Sequence, residues 1–278
     1  MELASGRGRT FVREVAGPPA APAVVLLHGL TAVADLNWFP VFDAVGAAFR
    51  VVSLEHRGYA RGPVLRGPCR LTDLADDVAA LADSLGVERF VPVGYSMGGA
   101  VAQLVWRRHP SRVAGLVLAG TASLFSVSAR ERFLSRLLPS ASVAARAGPS
   151  AAGRFVGSTL RARFTGSPLA PWAVAELARH RPATMLAWAA ALGRFSSASW
   201  IGAVDVPTAV VATSRDVLVP TERQLALAAS IPGAHVVPVD GDHGVFITDQ
   251  AAFTDAIVQA CRLVTVNPGT PTGEVRNP

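Results

Sequence analysis

Short, uninterrupted apolar runs alternate along this chain with longer stretches whose apolar residues recur at helical spacing. Runs at residues 23–28 (AVVLLH), 49–54 (FRVVSL), 89–93, 113–119 (VAGLVLA), 208–213 and 235–239 show little polar alternation, which predicts strands buried on both faces. Helical spacing marks residues 37–48, 72–85, 97–109, 220–230 and 249–264, the third of these stopped by Pro110. Asp73 and Asp76 are placed to favour the positive end of the second helix. Strands alternating with helices predict an α/β fold, with a mostly parallel central sheet and helices on both faces.

Residues 122–206 break this rhythm. They are rich in Ala, Arg and Ser, with interrupted helical patterns and no clear strand, and they are read as a helical cap inserted over the sheet. Ten Arg meet only three acids there (Glu131, Glu176 and Asp205), so the chain's net charge of +6 is concentrated in this interval. Residues 265–278 (TVNPGTPTGEVRNP) have the makeup of a disordered tail, which leaves residues 1–264 as one domain carrying the insertion.

Composition narrows the class. Half of the residues are hydrophobic and 17% are charged, which excludes charge-driven disorder. Cys69 and Cys261 lie far apart and form neither a disulfide framework nor a metal cluster. The start lacks an apolar export segment and no apolar stretch reaches ~18 residues, so a cytoplasmic protein is expected. Lys is absent and all 26 basic residues are Arg, which with heavy Ala, Val, Gly and Pro usage reads as GC-rich bacterial coding. No nucleic-acid-binding motif accompanies the basic balance, so no nucleic acid partner is expected. Solvated Arg on helix faces is the reading adopted, with a transient contact to an anionic membrane as its alternative.

The candidate chemistry begins at Gly94-Tyr95-Ser96-Met97-Gly98-Gly99, directly after a strand run and directly before a helix. A nucleophile on a sharp strand-to-helix turn needs small neighbours, and the helix start aims N–H groups at developing negative charge. A serine hydroxyl also needs a base held by an acid. His243 follows the last strand run, in VDGDHG, and is the candidate base. Asp216 follows the run before it, in TSRDVLVP, and is the candidate acid. Both fall at the carboxyl ends of strands, where open α/β sheets place ligands. Asp240 and Asp242 compete with Asp216 but sit too close along the chain to orient the ring. His28-Gly29-Leu30-Thr31 closes the first run, so the N–H groups of Leu30 and Met97 are the candidate oxyanion donors.

These residues resemble the α/β-hydrolase fold family. The resemblance also takes in Glu55-His56-Arg57-Gly58-Tyr59 after the second run, Val219-Pro220 after Asp216, and the order Ser96, Asp216, His243. It covers nearly the whole chain outside the tail. It implies that His28, His56 and Arg57 are structural neighbours of the site, and that the insertion between late strands forms a cap that governs substrate choice. Glu55 stands where the family usually has Asp, and Arg61-Gly62 where a Ser is frequent.

A serine at the turn points to acyl chemistry, and hydrolysis of a carboxylic ester with an apolar acyl part is the expected activity. Carbon–carbon hydrolysis, thioester hydrolysis, acyl transfer and perhydrolysis use the same triad in the family, and a ligand-binding receptor of the same fold is the non-enzyme alternative. The partner is then a small-molecule ester or lipid-like substrate. The mechanism needs no cofactor and no metal. Phe125, Phe133, Trp172 and Trp188 are candidates to line the substrate cleft.

Overall fold

The computed structural model describes residues 1–128, 131, 133, 137, 138, 168–179 and 181–265. Much of the first half of the expected cap, including all of 139–167, and nearly all of the expected tail lie outside these residues. A seven-stranded sheet organises the rest. Its members in chain order are β3 (Val12–Val15), β4 (Ala23–Leu27), β5 (Arg50–Leu54), β6 (Phe90–Tyr95), β7 (Leu116–Ala119), β8 (Thr208–Thr213) and β9 (His235–Val239). The spatial order is β3-β5-β4-β6-β7-β8-β9, with β3 antiparallel to β5 and every other pair parallel. A small hairpin of β1 (Glu2–Leu3) and β2 (Gly8–Arg9) stands apart.

Strands β4 to β8 read as unbroken apolar runs because both of their faces are covered, whereas β9, expected to be buried on both faces, is an edge strand that leaves His235, Val236 and Pro238 exposed. Along β4, Val25 and Leu27 join one core while Val24 and Leu26 join the other. The first core packs under α3 (Leu71–Ser84), α4 (Met97–Arg108) and α7 (Thr221–Ala229), the second under α1 (Ala34–Trp38), α2 (Phe42–Gly46), α8 (Val245–Thr248) and α9 (Gln250–Thr265). In α3, Leu71, Leu74, Val78 and Leu81 form the buried stripe.

Three local expectations change. The single helix expected at residues 37–48 is two short helices, because Pro40 supplies no N–H and disfavours helix at Phe39. Asp73 lies in the first turn of α3 but Asp76 lies beyond it, and Asp76 pairs with Arg108 and His109 instead of serving the helix dipole. That pairing leaves the His109 side chain 28% exposed. Edge strand β3, with the polar sequence VREV, carries no apolar run to announce it.

Strand order reverses around β4. The chain steps from β4 to β5 on one side, then returns to place β6 on the other. That reversal opens a crevice at the carboxyl ends of β4 and β6, the position where doubly wound sheets bind ligands. The interval expected to form the cap includes α5 (Ala170–Ala178) and α6 (Pro182–Gly193). Trp188 and Leu192 of α6 join the first core.

Candidate active site

Ser96 sits between β6 and α4 with φ 54° and ψ −116°, a left-handed conformation that a non-glycine residue adopts only when its surroundings enforce it. Two glycines make the turn possible through close approach. A Cβ on Gly98 would run into the Leu27 and His28 carbonyls, and one on Gly94 would run into the Gly98 backbone. The strained turn lifts the Ser96 side chain to the sheet's carboxyl edge, where it is 8% exposed.

His243 reaches this edge from the loop after β9, and Asp216 from the loop after β8. The Ser96 Oγ lies 2.9 Å from His243 Nε2, and His243 Nδ1 lies 2.6 Å from Asp216 Oδ2. The backbone N–H groups of Leu218 and Val219 each donate to Asp216 Oδ1 at 2.9 Å, and Thr213 Oγ1 donates to Oδ2 at 3.0 Å. Burial works against the Asp216 charge. The His243 hydrogen bond and charge, with the two N–H groups, outweigh it and hold the carboxyl below its ordinary range. An ionised acceptor at Oδ2 requires the proton on His243 Nδ1, which leaves Nε2 free to accept from the Ser96 hydroxyl. Tyr95 completes the frame by donating from its hydroxyl to the His243 carbonyl at 3.0 Å.

The competing carboxylates are engaged elsewhere. Asp240 pairs with Ser214 and Arg215, and Asp242 accepts the N–H of Gly244 within its own loop.

Opposite the triad-like row stands the loop after β4. Met97, at the first position of α4, has no intrahelical acceptor for its N–H. The Leu30 N–H is aimed by a less obvious device. His28 Nε2 accepts the backbone N–H of His56 at 3.0 Å, so the ring proton is on Nδ1, which donates to the Gly29 carbonyl at 2.9 Å. A trans peptide sets its C=O and N–H in opposite directions, so fixing the Gly29 carbonyl also fixes the Leu30 N–H. Asn37 holds the other side of Gly29, its Oδ1 accepting the Gly29 N–H at 2.9 Å. Gly29 has no positive φ; its Cβ would instead sit 3.3 Å from Ser96 Cβ, so the close approach explains the glycine. The Tyr59 hydroxyl donates to the Leu30 carbonyl at 2.9 Å.

The sequence model of the alpha/beta hydrolase fold matches residues 22–250. The chain belongs to that family. A putative carbamate hydrolase RutD from Variovorax paradoxus is 30% identical to it, over 93% of this chain and 98% of that protein. A poly(3-hydroxyalkanoate) depolymerase from Ectopseudomonas oleovorans is 28% identical, over 93% and 90% respectively. Among solved structures, a thermophilic esterase from Thermogutta terrifontis superposes with a TM-score of 0.81 at 24% identity, covering 96% of this chain and 98% of that one. With the family comes the class: the protein is a hydrolase of this fold.

In this α/β hydrolase a cavity of about 250 Å³ adjoins Ser96 and His243. Its apolar wall comes from Leu30, Phe125, Leu192, Leu218, Val219 and Phe246. Of the four aromatic residues expected to line the substrate cleft, Phe125 alone lines this cavity. Trp188 is fully buried in the core. Trp172 packs edge-on against Phe39 at 5.1 Å and lines a different cleft, with Arg13 and Asp35. Phe133 is 61% exposed.

Arg57 proves structural: it pairs with the buried Asp77, which also holds Arg7 of the N-terminal hairpin. His28 and His56 are buried beneath the loop and line no part of the Ser96 cavity. Burial pushes the His56 pKa well below its ordinary value, with the nearby His28 adding to the shift.

The site also contains residues that no sequence motif announces. Gln224, fully buried in α7, donates to Val219 O at 2.7 Å and to Thr213 Oγ1 at 2.8 Å, and so braces the Asp216 loop. Asn37 reads in sequence as one polar position in an amphipathic helix. A buried amide in each case is the signal, and burial is not visible in a single sequence.

Among the described residues no group of His, Cys, Asp and Glu has the makeup of a metal site, and no helix is long and apolar enough to cross a membrane.

Proposed function

We propose that the protein is a serine hydrolase that cleaves a small carboxylic ester through an acyl-enzyme. The observation that carries this reading is the continuous row Asp216 Oδ2, His243, Ser96 Oγ, with 2.6 Å and 2.9 Å separations, beside an apolar cavity. His243 Nε2 takes the Ser96 proton as Oγ attacks the ester carbonyl. The N–H groups of Leu30 and Met97 receive the developing oxyanion. His243 then gives the proton to the leaving alcohol. In the second half it activates water, which releases the acid and restores Ser96.

The cavity is below the ~300–1,000 Å³ that holds a drug-sized ligand and its wall is mainly apolar, so the acyl group is short and largely apolar. The interval 122–206 acts as a cap in this reading, since Phe125 and Leu192 from it wall the cavity. A carbamate presents a similar carbonyl to the same groups, and the name of the Variovorax paradoxus relative favours that second reading.

The test is intact-protein mass after a fluorophosphonate probe, alongside hydrolysis of short-chain p-nitrophenyl esters and release of amine from a carbamate. A one-to-one adduct and turnover, both abolished in Ser96→Ala, are expected. Folded wild-type protein that takes no adduct, or a Ser96→Ala variant that keeps turnover, would sink the proposal.

A further inference from the structure

The amide of Asn37 is only half used. Its Oδ1 accepts the Gly29 N–H at 2.9 Å, which fixes which end of the amide is oxygen. Its Nδ2 is buried without a hydrogen-bond partner, and the side chain as a whole is 0% exposed. Buried donors are almost always paired, so one left open in a site points to something that arrives there. Asn37 lines the cavity beside Ser96, with Thr31 and Ala32 of the same loop. It is also close to the reacting centre: a point one bond from the Gly29 Cα lies 3.3 Å from Ser96 Cβ and 3.6 Å from Asn37 Oδ1. Most of the remaining wall is apolar, so beside the reacting groups, Tyr95 and Thr31, Asn37 is one of few polar side chains lining this pocket.

We infer that Asn37 Nδ2 is a substrate-recognition donor, and that the substrate is an ester whose acyl chain carries a hydrogen-bond-accepting oxygen close to the scissile carbonyl. The inference rests on the serine-hydrolase reading for the position of the scissile carbonyl. A plain hydrocarbon acyl chain leaves the donor unpaired in a dry site, whereas an ether, hydroxyl or carbonyl oxygen pairs it. Asn37 then has two duties: Oδ1 holds the oxyanion loop, and Nδ2 selects the acyl group held against it.

The experiment compares three p-nitrophenyl esters of equal chain length: pentanoate, ethoxyacetate and 3-methoxypropanoate. Each kcat/KM is divided by the ester's rate of hydroxide hydrolysis, which removes intrinsic reactivity. The wild type is expected to prefer one of the oxygen-bearing esters by about 3–10-fold, the yield of one neutral hydrogen bond. Asn37→Asp keeps an oxygen for the Gly29 N–H and loses the donor, so the ratio falls to about one or below. Asn37→Leu serves if Asn37→Asp does not fold, and the wild-type ratio decides by itself if neither does.

The same esters titrated into Ser96→Ala protein give the preference without turnover. Equal handling of all three by the wild type, or a preference that survives in the Asn37 variants, overturns the inference. Turnover that survives Ser96→Ala refutes the serine reading instead, so the two failures are separate.

Discussion

Replacing Asp216 by Asn tests the site at its most constrained point. The surroundings dictate how the new amide sits. Its oxygen must take the Oδ1 position, because the Leu218 and Val219 N–H groups both donate there at 2.9 Å. Its NH₂ must therefore replace Oδ2, 2.6 Å from His243 Nδ1. An NH₂ there donates to Nδ1 and forces the ring proton onto Nε2, the atom that has to accept from Ser96. The imidazolium also loses the carboxylate that stabilises it. In the serine-protease triad the same change lowers kcat by about 10⁴, which corresponds to about 5.4 kcal/mol. A loss of that order is expected here.

The new NH₂ also faces the Gln224 amide nitrogen, 3.3 Å from the present Oδ2. Two opposed donors cost about 1–3 kcal/mol of stability. The assay is therefore single-turnover acylation by a p-nitrophenyl ester, with circular dichroism confirming that the variant is folded. A folded Asp216→Asn protein within about tenfold of wild type would refute the assignment of Asp216 as the group that orients His243.

Other consequences can be checked directly. Gly98→Ala drives a methyl group into two backbone carbonyls that cannot swing aside, and should cost about 3 kcal/mol in urea unfolding. Burial opposes the Asp76 charge, but the Arg108 and His109 hydrogen bonds outweigh it and hold the carboxyl below its ordinary range. The stability this contributes is complete above the unfolded pKa of about 3.9 and disappears as pH falls through the lower folded value. Asp76→Asn should thus lower the stability measured by urea unfolding at pH 7, by under about 1 kcal/mol because the pair is only partly buried, and the gap to wild type should close towards pH 3. Burial pushes the Cys261 thiol up to about 12, so mass-mapped alkylation at pH 8 should leave Cys261 untouched until the protein unfolds.

The parts of this hydrolase that could be read in one sequence are those governed by neighbours along the chain. β8 and β9 occur at the expected residues because both are short β-branched runs closed by polar turns. The Ser96 turn was legible because its demand for glycine is met within four positions on either side. Side chains whose meaning depends on distant partners were not legible. Gln224 braces a carboxylate eight residues away, across a turn, and Asn37 serves a peptide on the far side of its own loop. Trp188 has the appearance of a cleft aromatic in an Ala-rich stretch, yet α6 is apolar on all sides, and such a helix is driven to bury its largest side chain.

That burial bears on how the enzyme selects its substrate. Trp188 and Leu192 lie one turn apart on α6, and both belong to the core that also contains Met97 and Leu27. The helix is therefore anchored to the sheet domain by the same side chains that bring Leu192 to the cavity wall. A wall fixed in this way cannot retreat to admit a longer acyl chain without exposing the Trp188 indole. Truncating the wall alone leaves the anchor in place. Leu192→Ala should lengthen the preferred acyl chain in a p-nitrophenyl ester series, whereas Trp188→Ala should cost about 3–5 kcal/mol of stability first. If Leu192→Ala leaves the chain-length profile of a folded enzyme unchanged, α6 does not set the depth of the pocket.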